Sequence, residues 1–141
     1  MMAPSIETRL AATDLVTRYF DLVDRGLASG TADLFASGGT LTFGPGAPNP
    51  GTIAGDAIRA AMTARQAQTH VTTRHVLTNV IVAGQDDGSL IVRSLLTLFR
   101  SDDETRSTAI ASVADIEDHL VTEAGEWRIL SRLISPVFNR T

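Results

Sequence analysis

Two residues fifty-one positions apart, Asp24 and His75, have the types and local settings of a carboxylate–imidazole pair. Asp24 follows Phe20 by four residues and Val23 by one, so on a helix it lies at the edge of the apolar stripe and off the solvated face. A carboxylate there is either half-exposed in the last helical turn or buried with a partner. His75 lies early in a β-prone run whose odd positions are His75, Leu77, Asn79 and Ile81. In a regular strand these share one face, which places Asn79 on the same side as His75. Tyr19 lies on the other flank of the helical stripe; an inward tyrosine generally finds a hydrogen-bond partner and can donate to a carbonyl or hydroxyl. Asp118 alternates with Ser112, Ala114 and Ile116, and Arg132 shares a face with Leu130 and Ile134, so both can point inward. Each residue also has a plain structural role open to it: a helix-end contact for Asp24, core for Tyr19, a satisfied strand histidine for His75, rim charges for Asp118 and Arg132.

Several other chemistries are excluded. The chain has no cysteine, which removes disulfides, thiolate nucleophiles and cysteine-ligated zinc. It has no Gly-x-Ser-x-Gly elbow, no phosphate loop ending in Lys-Ser/Thr and no His-Glu-x-x-His. Gly44, Gly46 and Gly51 lack the strand–turn–helix setting of a dinucleotide fingerprint. His70 and His75 straddle an element boundary and make a poor metal pair. No cofactor and no metal are expected.

The elements that must position these side chains follow from periodicity. Ala12, Val16, Tyr19, Phe20, Val23 and Leu27 recur at helical steps from Ser5 onward, opposite the i,i+4 pairs Asp14–Arg18 and Asp21–Arg25. Gly26 and Gly30 end this helix. A short helical turn is expected at Thr31 to Phe35, a strand at Thr40 to Phe43, a Gly/Pro-rich loop at Gly44 to Gly51 and a second amphipathic helix at Gly55 to Arg65. Strands are expected over Thr72 to Ala83, Leu90 to Arg100, Ser107 to Val121 and Trp127 to Phe138, joined by short turns as an antiparallel meander. Helices followed by a long meander give an α+β domain whose curved sheet wraps the helices. Small residues at Ala109, Ala111, Ser112 and Ala114 leave room for an interior pocket or for close helix packing.

A length of 141 residues suits one domain with a real core, spanning 1–141. The net charge of −4 argues against nucleic acid or an anionic membrane as partner and in favour of a small uncharged or anionic molecule. The first thirteen residues lack the apolar run of a signal peptide, and nothing approaches the roughly 18 apolar residues of a membrane span. A cytoplasmic protein is expected. The many apolar strand positions call for cover on the outer face, hence a homo-oligomer, dimer or trimer.

The stretch Arg18-Tyr19-Phe20-Asp21-Leu22-Val23-Asp24-Arg25-Gly26, with Leu34-Phe35-Ala36, resembles the first helix and turn of SnoaL-like proteins of the NTF2-like superfamily. Thr73-Arg74-His75-Val76-Leu77-Thr78-Asn79-Val80 resembles their first long strand, and Glu126-Trp127-Arg128-Ile129 their last. The resemblance implies a cone-shaped α+β fold, N-terminal helices packed in a curved mixed or antiparallel sheet that encloses a pocket. It also implies roles. In the branch with scytalone dehydratase, bile-acid dehydratase and lindane dehydrochlorinase, an Asp–His dyad falls where Asp24 and His75 stand. Tyr19 matches the substrate-facing tyrosine of the bile-acid enzyme, and Arg132 the inward arginine of the last strand. Scytalone dehydratase has a second histidine where this chain reads Ala109-Ile110-Ala111-Ser112. The place of the ketosteroid isomerase base is held by Phe43, which counts against that chemistry, and its oxyanion-hole pair would fall near Tyr19 and Asp118.

The expected function is therefore a cofactor-independent lyase, a dehydratase-type β-elimination on a small hydrophobic cyclic substrate. His75 is its base, Asp24 orients the imidazole and Tyr19 donates, with Asn79, Arg132, Phe43 and Asp118 facing the substrate. The alternatives are a non-catalytic binding subunit, like the small subunits of ring-hydroxylating oxygenases, and a ring isomerase or polyketide cyclase.

Overall fold

In the computed structural model, residues 3–106 and 109–140 are described. Helix α1 runs Ile6–Asp24, started by the Ser5 hydroxyl, which accepts from the Thr8 amide. Its buried residues are Ala12, Leu15, Val16, Tyr19, Phe20 and Val23, the expected stripe with Leu15 added. Gly26 at φ 79° stops it, and the Leu27 amide closes back on the Leu22 carbonyl at 2.9 Å. Leu27 therefore lies past the helix and is exposed, whereas the periodicity places it inside. A 3-10 turn, Ala28–Leu34, leads into the sheet.

The strands are β1 Phe35–Phe43, β2 Gly51–Ala54, β3 Thr72–Gly84, β4 Leu90–Ser101, β5 Ile110–Glu123 and β6 Glu126–Asn139, with α2, Asp56–Ala67, between β2 and β3. The order across the sheet is β2-β1-β6-β5-β4-β3. All neighbours are antiparallel except β1 and β6, which run parallel, so the meander expected from β3 to β6 is completed by a mixed edge. Strand β1 begins five residues before its β-prone segment. Its first half, Phe35 to Gly39, holds an irregularity with Gly38 at φ 71°, which weakens the alternation that marks a strand. The short β2, in what reads as loop, pairs with β1 through Leu41 and Ile53. Ser107 and Thr108, expected to open the third long strand, lie outside the described residues, and that strand runs on to Glu123.

Inner positions of β3 to β6 face α1 and α2. One cluster gathers Tyr19, Phe20, Val23, Leu41, Ile58, Met62, Leu96, Ala114, Ile116 and Ile134, and a second gathers Ala12, Leu15, Val16, Leu90, Val92, Leu120 and Ile129. The opposite face exposes Val76, Ile81, Leu95 and Leu133. Among the described residues no helix is long and apolar enough to cross a membrane.

Candidate active site

The stop of α1 at Gly26 fixes Asp24 as the last helical residue, and β3 passes directly beneath it. The Asp24 carboxylate is held three times. The His75 ring meets Oδ1 through Nδ1 at 2.6 Å, the His75 amide donates to Oδ2 at 2.8 Å, and the Thr73 hydroxyl donates to Oδ1 at 2.8 Å. Burial pushes the Asp24 carboxyl up, but the hydrogen bonds from the His75 ring and amide and from Thr73 outweigh it, so it sits below its ordinary value. An ionised carboxylate only accepts, so Nδ1 carries the proton and Nε2 presents its lone pair. Nε2 has no protein partner among the described residues. The two side chains keep 11% and 9% of their exposure, which is enough for the pair to meet solvent or a ligand. Phe20 stacks on the imidazole, centroids 4.8 Å apart and planes 22° apart, fixing the ring from its other side.

A second polar pair lies deeper. Arg132 and Asp118 are direct cross-strand partners on β6 and β5, both wholly buried. Arg132 Nε donates to Oδ1 at 2.6 Å and Nη2 to Oδ2 at 2.8 Å, and Nη2 also reaches the Val16 carbonyl at 2.9 Å. The guanidinium lies between aromatic rings, 4.7 Å from the centroid of Tyr19 and 4.6 Å from that of Phe20. Arg132 Nη1 and Ser94 Oγ are buried with no hydrogen-bond partner among the described residues. Tyr19, beside them, donates to Met62 Sδ at 3.5 Å; burial, with Asp118 assisting and Arg132 opposing, pushes its hydroxyl up to about 12.

The fold that carries these two pairs recurs in proteins of known structure. Residues 4–133 match the SnoaL-like domain profile. The chain belongs to the SnoaL-like family. Aln2 from a Streptomyces species superimposes with a TM-score of 0.79 at 22% identity, over 96% of this chain and 94% of its own. A provisionally named scytalone dehydratase from Novosphingobium aromaticivorans gives a TM-score of 0.77 at 18% identity, over 96% and 87%. An NTF2-like protein with a cystatin-like fold from the same species gives 0.74 at 21%, over 96% and 86%. No curated protein matches the sequence.

Of the candidate residues in this SnoaL-like chain, the fold brings together Asp24, His75, Tyr19, Arg132 and Asp118, linked through the Phe20 ring. Phe43 is half-buried at the far end of β1, packed on the larger core cluster and paired with Ile134. Asn79 goes elsewhere. Pairing on β4 skips from Thr78↔Leu95 to Ile81↔Arg93, and Asn79 adopts φ 55° in this bulge. The extra residue inverts the alternation, so Val80 and Val82 continue the inner face and Asn79 and Ile81 point outward. There they line a groove of about 480 Å³ with Arg93, Leu95, Asp115 and Leu133. A smaller cavity of about 210 Å³ lies between the start of β1 and the N-terminus of α2, lined by Ser37, Asp56, Arg59 and Glu123. Asp24, His75 and Tyr19 line neither of these two. The sequence reading missed Thr73 and Arg65, whose Nη2 donates to Thr73 Oγ1 at 3.2 Å. Thr73, two positions before His75 on the same face, was the available signal.

Proposed function

We propose that this SnoaL-like protein is a cofactor-independent lyase of dehydratase type, with His75 as the general base, acting on a small hydrophobic cyclic substrate. The observation that carries the reading is the threefold grip on Asp24, which sets the imidazole tautomer and leaves Nε2 as a base at a partly open edge. In the reaction, Nε2 takes a proton from carbon, the C–H electron pair becomes the new double bond, and the β C–O bond breaks. The imidazolium, stabilised by Asp24, returns its proton to the departing hydroxide, so water leaves. Tyr19, raised to about 12, stays protonated and serves as a hydrogen-bond donor. Arg132 Nη1, buried and without a hydrogen-bond partner among the described residues, is the one donor that the interior pair leaves unused beside Tyr19. We place the protein in the class of homo-oligomers, with Ile81, Leu95 and Leu133 on the contacting face.

His75→Ala should lower turnover of a hydroxylated cyclic substrate by about 10²–10⁴-fold, the usual share of a positioned base. Its circular dichroism and melting temperature should stay close to the parent's. An unchanged rate would remove the base from the mechanism. The second reading, a binding subunit without catalysis, is favoured by the position of the two cavities away from the dyad. It predicts that screened ligands bind and are recovered unchanged.

A further inference from the structure

The inner face of β3 and β4 is graded from its open end inward. Cross-strand partners share a face, so the residues meet in rows: Thr73 with Arg100, then His75 with Leu98, then Leu77 with Leu96. Successive rows are about 7 Å apart, two residues of strand rise. The first row is cationic, the second holds the base and the third is apolar, with Leu96 in the core.

Arg65 comes down on the first row from the last turn of α2, donating through Nη2 to Thr73 Oγ1 at 3.2 Å. Its other nitrogens have no partner among the described residues. Arg100 stands across the strand from Thr73 and gives Nε to Asp102 at 2.7 Å. Burial and then the charge of Arg100 lower the pKa of Arg65, with Asp24 and Asp102 opposing. Two guanidiniums are thus gathered at the edge of the dyad in a chain of net charge −4. A bound anion relieves such like-charge crowding and uses the free donors.

We propose that Arg65 and Arg100 form an anion subsite that receives a carboxylate or phosphate of the substrate, one row from the carbon that gives its proton to His75. Resting on the reading of His75 as base, this narrows the substrate to an amphipathic molecule. Its anionic group lies at the mouth and its apolar ring lies inward, against the half-buried Leu98 and Leu77.

The test is titration of the full chain with cyclohexanecarboxylate, cyclohexyl phosphate and the neutral cyclohexanecarboxamide, by calorimetry at low and moderate salt. At least one anion should bind about tenfold or more tighter than the amide, as charge-assisted hydrogen bonds allow. The preference should shrink with salt. It should be lost in Arg65→Gln and in Arg100→Gln, the second of which leaves the Thr73 contact untouched, and be retained in Arg65→Lys and in His75→Ala. The stronger of the two anions names the class. Equal affinity for anion and amide, no binding of either anion, or a preference that survives both glutamine variants would overturn the subsite. Turnover of a neutral substrate without any anion preference would overturn the subsite and leave the base standing. An intact preference without turnover would support the subsite as an anion site while removing the base.

Discussion

Two acid–base pairs lie where α1 meets the inner face of the sheet, Asp24–His75 at the rim and Asp118–Arg132 in the interior, and they differ in what each leaves free. The interior pair is wholly buried, bidentate and flanked by Tyr19 and Phe20. Its guanidinium only donates hydrogen bonds, so the pair holds charge in place. The rim pair keeps a small exposed edge and joins the carboxylate to a ring that can take and return a proton. Phe20 touches both, stacked on His75 and packed against the Arg132 guanidinium. The interior pair thereby braces the wall against which the rim pair is set.

This contrast can be broken by substitution, and the largest effect belongs to the interior. Asp118→Asn leaves the Arg132 charge uncompensated and should cost about 3–5 kcal/mol of stability, read as a lowered denaturant midpoint. Asp24→Asn should act mainly on the reaction. It should lower turnover while costing about 1–3 kcal/mol, since the ring loses the partner that orients it. Similar stability losses at the two positions would erase the distinction.

Proton linkage sharpens it further. The Asp24 carboxyl is lower folded than unfolded, so its contribution is present above the ordinary carboxylate value and lost as pH falls through the folded one. Melting temperature should fall below about pH 4, and Asp24→Asn should flatten part of that limb. The remainder belongs to the depressed surface carboxyls Asp87, Asp103 and Glu123. Tyr19 has the opposite sign. Raised to about 12, it stabilises fully below its unfolded value, and that contribution is lost as pH rises through the folded value. It is the chain's one tyrosine, so phenolate absorbance reports it directly. A midpoint at the ordinary value of 10.0 would show that Tyr19 is not buried. The smallest effect is expected outside the face altogether. Asn79→Ala should leave turnover unchanged and cost about 1 kcal/mol, because alanine tolerates the left-handed conformation poorly, whereas Asn79→Gly should be tolerated.

The positions of Asp24 and His75 were legible because each is a polar residue on or beside a periodic apolar pattern, and periodicity survives in a linear sequence. The stop at Gly26, the charged outer face of α1 and the four long strands follow from the same local physics of steric freedom and alternation. Asn79 was misplaced because one bulge inverts the alternation, and a bulge is decided by what the neighbouring strand can pair with. The union of Asp118 with Arg132 depends on cross-strand register, and the parallel seating of β1 on β6 depends on the chain crossing back to the far side of the open sheet. Residue order alone sets which segments are helix and strand, and which face of each is apolar, because those preferences act over a few residues. Which polar groups meet is settled by the folded chain, because a hydrogen bond of 2.6 Å between residues 24 and 75 exists only once the chain between them has folded back.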